Sequence, residues 1–216
     1  RNTSTSSKPR LLIGCVGDRF MPGVKESIAE AVVCCKAHGI QAEVKIQPPI
    51  TILPYFGLAT MRNRLCMRAV EDDFDFIVLL DNDIRLEQKH AFCQMVACNQ
   101  HILVPQFWPA YKNKVKLMEP DEDNKGVFCK VEWSIFSCIM FDKVFLHRAP
   151  RPFIETLCYL EEETTFQDWR IKRFNAMKDG SSIVTLLRPP TNLWELQQDQ
   201  LFRIQTPGDV KREAIR

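Results

Sequence analysis

Apolar residues along this chain fall in short runs separated by amphipathic stretches. Arg10 to Val16 (RLLIGCV) reads as a buried strand, and a loop follows over Gly17 to Gly23. Val24 to His38 then carries Val24, Ile28, Ala31, Val32 and Cys35 at helical spacing, with Gly39 as its stop. Gln41 to Ile46 alternates like a strand and is closed by Pro48-Pro49. Leu58 to Glu71 is a second helix. Phe74 to Leu80 (FDFIVLL) is the most apolar strand and runs straight into Asp81-Asn82-Asp83. A helix over Gln88 to Asn99 and a strand over Ile102 to Gln106 complete a β-α-β-α-β-α-β run. Strands separated by helices predict a mostly parallel α/β sheet covered on both faces. Ligands of such sheets bind at the carboxyl ends of the strands.

The second half is patterned differently. Lys112 to Val131 is turn-rich with an acidic tip, and is expected as a hairpin or mobile loop. Val131 to Asp142 is strand-like, and Lys143 to Pro152 is a short helix or turn. Glu163 to Met177 predicts a helix stopped by Gly180, and Ile183 to Leu187 a last strand. Residues 188–216 have little periodicity and are expected as a tail.

Composition sharpens this reading. With 216 residues, 45% of them hydrophobic, the chain can fill one core but is short for two. A net charge of +2 is too small to point to nucleic acid as the main partner. The short basic runs around Arg62, Lys112 and Arg170 read as solvated faces. The longest clean apolar stretch, Phe76 to Leu80, is far below the roughly 20 residues of a membrane span. The polar opening has no apolar leader and does not begin with Met. The chain is therefore expected to be a domain of a longer protein, with residues 1–9 a flexible leader. Nine cysteines is an odd number, without a Cys-x-x-Cys pair or Cys/His ligand spacing. They are expected to be reduced, core-filling thiols in a cytoplasmic setting, with no zinc site.

The chemistry concentrates at Asp81 and Asp83. Residues two apart in extended chain point the same way, so both carboxylates can face one ion. Two charges beside a dry strand are costly unless something compensates them. Mg²⁺ or Mn²⁺ accepts carboxylate and phosphate oxygens together. An Asp/Asn turn at a strand end is the plain alternative.

Four stretches in order resemble the GT-A superfamily of nucleotide-sugar glycosyltransferases, over about residues 10 to 187. They are IGCVGDRFMP, ATMRNRLCMRAVEDDFDFIVLLDNDI, WSIFSCIMFDKVFLHRAPRPFIE and EEETTFQDWRIKRFNAMKDG. The resemblance implies a GT-A (Rossmann-like) catalytic domain over 10–187. Its nucleotide-sugar half would be 10–106, and a smaller acceptor-side β half 107–187. It implies that Val16, Gly17, Asp18 and Arg19 line the nucleotide and that Gln47 meets the base. Arg62 and Asn63 would reach base or diphosphate. Asp81 would meet ribose or metal, Asn82 would lie with it on the donor, and Asp83 would hold the metal. Most members use a uridine nucleotide, which implies a UDP-sugar donor and a glycan or glycoprotein acceptor.

The same resemblance places an acceptor-activating base at Glu163, which implies inversion of configuration. Three consecutive glutamates leave Glu162 in contention, with Asp168 behind them, and Glu stands where Asp is usual. Glutamates at a helix start are otherwise ordinary dipole partners. Trp108 and Trp133 are candidate sugar or acceptor contacts, although such rings are commonly core. Many metal-dependent members supply a late His ligand, whereas the last His here is His147. The overall look is similar to the capsid-glycan transferases of large algal viruses (chloroviruses), which would place the chain in host cytoplasm, within longer multidomain proteins. Two rival readings stay open. A haloacid-dehalogenase-like phosphatase also ends an apolar strand in Asp-x-Asp, and a degenerate nucleotide-binding module would bind donor without turnover.

Overall fold

The structure is a computed structural model that describes residues 8–17, 19–48, 58–105, 107–108, 117–120, 128–131, 137–153, 194–196 and 201–204. Its first half follows the apolar pattern closely. β1 (Arg10–Val16) leads through α1 (Val24–Ala37) to β2 (Gln41–Gln47), and α2 (Leu58–Glu71) leads to β3 (Phe76–Asp81). Then come β4 (Ile84–Leu86), α3 (Ala91–Cys98), β5 (Ile102–Pro105) and β6 (Phe107–Trp108). β7 (Leu117–Pro120), β8 (Phe128–Val131), β9 (Cys138–Asp142), α4 (Lys143–Arg148), β10 (Trp194–Leu196) and β11 (Phe202–Ile204) complete the described elements.

Among the described residues the main sheet has eight strands in the order β2-β1-β3-β9-β5-β10-β8-β7. β1 pairs in parallel with β2 and β3, and β10 with β5. β9 lies antiparallel between β3 and β5. β2, β1, β3, β5 and β10 therefore all run one way, with β9 reversed among them. This is the expected α/β class with a mostly parallel sheet. The reversed β9 explains how the strand-like run before Asp142 joins the sheet without a crossover helix. A small sheet, β4-β11-β6, stands apart.

The alternation of each central strand divides the core in two. Leu11, Ile13 and Cys15 of β1, with Phe76, Val78 and Leu80 of β3, face α1 and α3. Leu12 and Val16, with Ile77 and Leu79, face α2, α4 and Phe153. Gly14 lets α2 come close: a Cβ there would stand 3.0 Å from Leu65 Cδ1 and 3.1 Å from Leu79 Cδ2. α1 ends where Gly39 takes a positive φ of 77° and the Ile40 amide donates to the Cys35 carbonyl at 2.9 Å.

Several boundaries move. β3 begins at Phe76, not Phe74, because the Asp75 carboxylate is taken up by the Arg10 amide at 2.8 Å. It also extends to include Asp81. α3 opens only at Ala91, and β4, three residues long, carries too little pattern to be read. The expectation of a tail over 188–216 is corrected. β10 is inserted between β5 and β8, and β11 between β4 and β6, with Phe202 fully buried. The helix expected over 163–177 and the strand expected over 183–187 lie outside the described residues. Among those described, no helix is long and apolar enough to cross a membrane.

Candidate functional site

The carboxyl ends of β1, β2 and β3 are aligned by register. Val16 pairs with Gln47 on one side and with Asp81 on the other. The chain leaves β1 through Gly17, whose amide donates to the Gln47 carbonyl at 3.0 Å. Gly17 holds a φ of 122°, a conformation open to glycine. A Cβ there would meet the Asn82 side chain at 3.0 to 3.2 Å. Asn82 returns the contact: its Nδ2 donates to the Arg19 carbonyl at 2.5 Å, and its own carbonyl accepts from the Met21 amide at 2.9 Å. The β1–α1 loop and the turn after β3 are thus tied into one rim. Asn82 is the knot of that rim, and its amide is spent on the loop. Arg19 is exposed on the rim, and Asp18 lies outside the described residues. Gln47 lines a groove of about 440 Å³ between β2 and α2, together with Ile46, Arg64 and Met67.

Beneath the rim the environments of the two carboxylates diverge. Asp81 is held by Arg62, whose Nη2 donates to Oδ1 at 2.5 Å. Arg62 is 2% exposed, and its guanidinium carbon lies 5.7 Å from the Phe153 ring centre. Its Nε and Nη1 find no hydrogen-bond partner among the described residues. Asp83 Oδ1 is likewise buried and without a hydrogen-bond partner among those residues. Burial, and then the charge of Asp81, push the Asp83 carboxyl up to about 6; a backbone hydrogen bond and then Arg62 oppose this only in part. A partnerless buried carboxylate oxygen beside a second carboxylate suits a hard divalent cation, which would neutralise the charge that burial penalises. The residues present therefore fit Mg²⁺ or Mn²⁺, with Asp83 the stronger ligand and Asp81 its partner.

Three expected donor contacts are reassigned. Val16 is 6% exposed and packs in the α2-side core, so its side chain faces away from the rim. Asn63 is 2% exposed; its Nδ2 donates to the Phe153 carbonyl at 2.9 Å and its Oδ1 accepts from the Phe153 amide at 3.0 Å. That bidentate clamp fixes the segment after α4 and replaces the expected reach to base or diphosphate. Arg62 acts from below on Asp81. Its burial departs from the solvated face expected of the basic run around it: Cys66 and Ala69, four and seven residues on, are fully buried on the same helix stripe. Two thiols that the sequence reading left as plain core also flank the site: burial, and then Asp81, raise the Cys15 thiol to about 12 and push up that of Cys138.

Trp108 lies in β6, opposite Arg203 of β11, in the small sheet whose strand β4 starts directly after Asp83. Trp133, Glu162 and Glu163 lie outside the described residues.

No family model matches the chain, and no curated protein sequence does. Solved structures do. The chain is similar to a glycosyltransferase involved in the glycosylation of the major capsid of PBCV-1, at 12% identity and TM-score 0.49, over 96% of this chain and 100% of that one. It is similar to a mutant β1,4-galactosyltransferase 7 of Drosophila, in complex with manganese, UDP-Gal and xylobiose, at 10% identity and TM-score 0.46, over 94% and 74%. A third is the mannose-1-phosphate geranyltransferase of Thermus thermophilus, at 10% identity and TM-score 0.43, over 93% and 75%. At these identities and TM-scores no ligand or activity is carried across, and the site is read from its own residues.

Proposed function

We propose that this chain is a metal-dependent glycosyltransferase that moves a sugar from a nucleoside diphosphate, uridine for preference, to a hydroxyl of a glycan or glycoprotein. The observation that carries the reading is the pair Asp81 and Asp83 at the carboxyl end of a central strand. One carboxylate is neutralised from below, and the other has an oxygen that is buried without a hydrogen-bond partner among the described residues, at the edge where open α/β sheets take their ligands.

In this reading Asp83, with Asp81, holds Mn²⁺ or Mg²⁺. The ion would supply charge neutralisation to the diphosphate as it leaves. Arg62 holds Asp81 in place from below. The glycine at position 17 lets the loop main chain approach the nucleotide without a side chain in the way. Arg19 and Gln47 stand on the rim for the nucleotide, and Asp18 joins them by sequence position. Glu163, or Glu162 beside it, takes the proton from the acceptor hydroxyl, and Trp108 and Trp133 face the sugars.

Titration calorimetry with uridine diphosphate, with and without Mn²⁺, tests the carrying observation. Binding should require the ion, and Asp83→Ala should abolish it while circular dichroism stays native. Binding that is equally tight in the variant would overturn the metal assignment. The base is tested separately by turnover. Glu163→Gln should slow transfer by about 10² to 10⁴ with donor affinity unchanged, the size of a general-base contribution. If Glu162→Gln carries that loss instead, the base is one residue earlier; if neither slows transfer tenfold, these glutamates are helix-start charges.

A further inference from the structure

The thiols assigned by sequence to plain core-filling do not all lie scattered. Cys34 and His38 stand one turn apart at the end of α1, and Cys93 on α3 comes to meet them. The ligand atoms of these three residues all lie within 4.8 Å of one another. The Cys34 Sγ to His38 Nδ1 separation is 3.6 Å. A tetrahedral zinc ion with Zn–S of about 2.3 Å and Zn–N of about 2.0 Å needs a sulfur-to-nitrogen edge of roughly 3.6 Å. Cys35 adds a further thiol, its Sγ 3.8 Å from that of Cys93. Sulfurs sharing one zinc stand at roughly that spacing. Two thiols and an imidazole from two helices thus converge, with a further thiol beside Cys93 from a residue 58 positions away.

We infer that Cys34, His38 and Cys93 form a zinc site that clasps the end of α1 to α3. Cys34 is buried, Cys93 half-buried and His38 exposed, so the cluster opens to solvent on the histidine side and leaves the fourth position to water. Two thiolates and an imidazole are donors that select zinc over the hard ions expected at Asp83. On binding, the Cys34 and Cys93 thiols each give up a proton to solvent, and His38 uses a ring nitrogen freed of its proton. In the metal-free chain His38 Nδ1 donates to the Cys34 carbonyl at 2.9 Å, which keeps the ring beside the thiol; zinc at Nδ1 would replace that hydrogen bond, the proton moving to Nε2. α1 connects two parallel strands and so runs back along the sheet. Its end therefore lies at the amino edge of the strands, opposite Asp81 and Asp83. The site is structural in place and separate from the proposed catalytic ion.

The test uses the full chain and Co²⁺ as a coloured stand-in for zinc. One equivalent should give thiolate-to-cobalt charge-transfer absorption and the visible bands of a tetrahedral ion, both erased by one equivalent of Zn²⁺. His38→Ala changes an exposed residue and should leave the fold intact. It should weaken zinc by more than the roughly 10- to 100-fold lost with an outer-sphere partner. Cys93→Ser should remove the charge-transfer band, and Asp83→Asn should leave it unchanged. As a check that needs no variant, zinc should shield Cys34 and Cys93, but not Cys98, from alkylation in the parent chain. Absence of the band, a band that survives both His38→Ala and Cys93→Ser, or equal alkylation with and without zinc would overturn the site.

Discussion

Two carboxylates two residues apart can carry opposite burdens, and Asp81 and Asp83 do. Asp81 has a direct partner, since Arg62, itself buried, donates to it. Asp83 keeps its charge only at a cost, since burial and the neighbouring charge raise its carboxyl from 3.8 to about 6. The consequence is a stability that depends on pH in a direction opposite to that of a salt-bridged acid. Between about 3.8 and about 6 the folded chain binds the proton more tightly than the unfolded chain. Its stabilising effect is complete below the lower value and is lost as pH rises through the upper. A shift of that size is worth on the order of 3 kcal/mol. Asp83→Asn removes the buried charge, so the metal-free variant should be more stable than the parent at neutral pH by about 1–3 kcal/mol. The advantage should vanish near about pH 4. Urea melts of both chains at the two pH values measure it. A variant less stable at neutral pH would mean that the backbone hydrogen bond and Arg62 outweigh the cost of burial. Neither the pairing of Arg62 with Asp81 nor the clamp of Asn63 on Phe153 was legible in the sequence: the basic run around Arg62 reads as a solvated face, and the partners lie 19 and 90 residues away.

At the scale of elements, what could be read from the chain depended on length. β1, α1, α2 and β3 run from six to fourteen residues and show their period in full. β4, β10 and β11 have three residues each, too few for alternation to separate strand from loop. That is why residues 188–216 look like a tail and yet supply a strand to each sheet. Phe202 shows the difference. Its ring is fully buried, with its centre 6.1 Å from that of Phe92 in α3. It also belongs to the core cluster beneath α1. Truncating such a ring costs about 3–5 kcal/mol. Phe202→Ala should lose that much in equilibrium unfolding, whereas a true tail residue would lose less than about 0.5 kcal/mol. Removing the chain from residue 193 onward should do more. It takes β10 from between β5 and β8 and leaves two strand edges open, so aggregation on expression is the expected result.

For the whole molecule, the β-α alternation made the α/β class readable and put Asp81 to Asp83 at a strand end, because each apolar run and each helix stripe signals its own burial. The meeting of Cys34, His38 and Cys93 was not readable, because no spacing along the chain announces that α1 and α3 lie side by side. The two proposed ion sites then sit at opposite edges of one sheet. β1 alone has seven residues, which at about 3.3 Å per residue sets the edges roughly 20 Å apart. Perturbations farther apart than about 7–10 Å, without shared partners, add within about 0.5 kcal/mol. The core between the sites is shared, however: Cys15 and Val78 of the sheet belong to the same cluster as Cys35 and Met95 of the helices. A rigid sheet should transmit little through that cluster, whereas a sheet that shifts on donor binding would move α1 and α3 together. The thermal shift produced by Mn²⁺ with uridine diphosphate should therefore be the same, within error, in the parent and in His38→Ala. Zinc affinity should likewise be the same with and without that pair of ligands. A coupling above about 1 kcal/mol in either direction must appear equally in the other, because linkage is reciprocal. Such a result would mean that the α1–α3 clasp adjusts when the strand-end site fills.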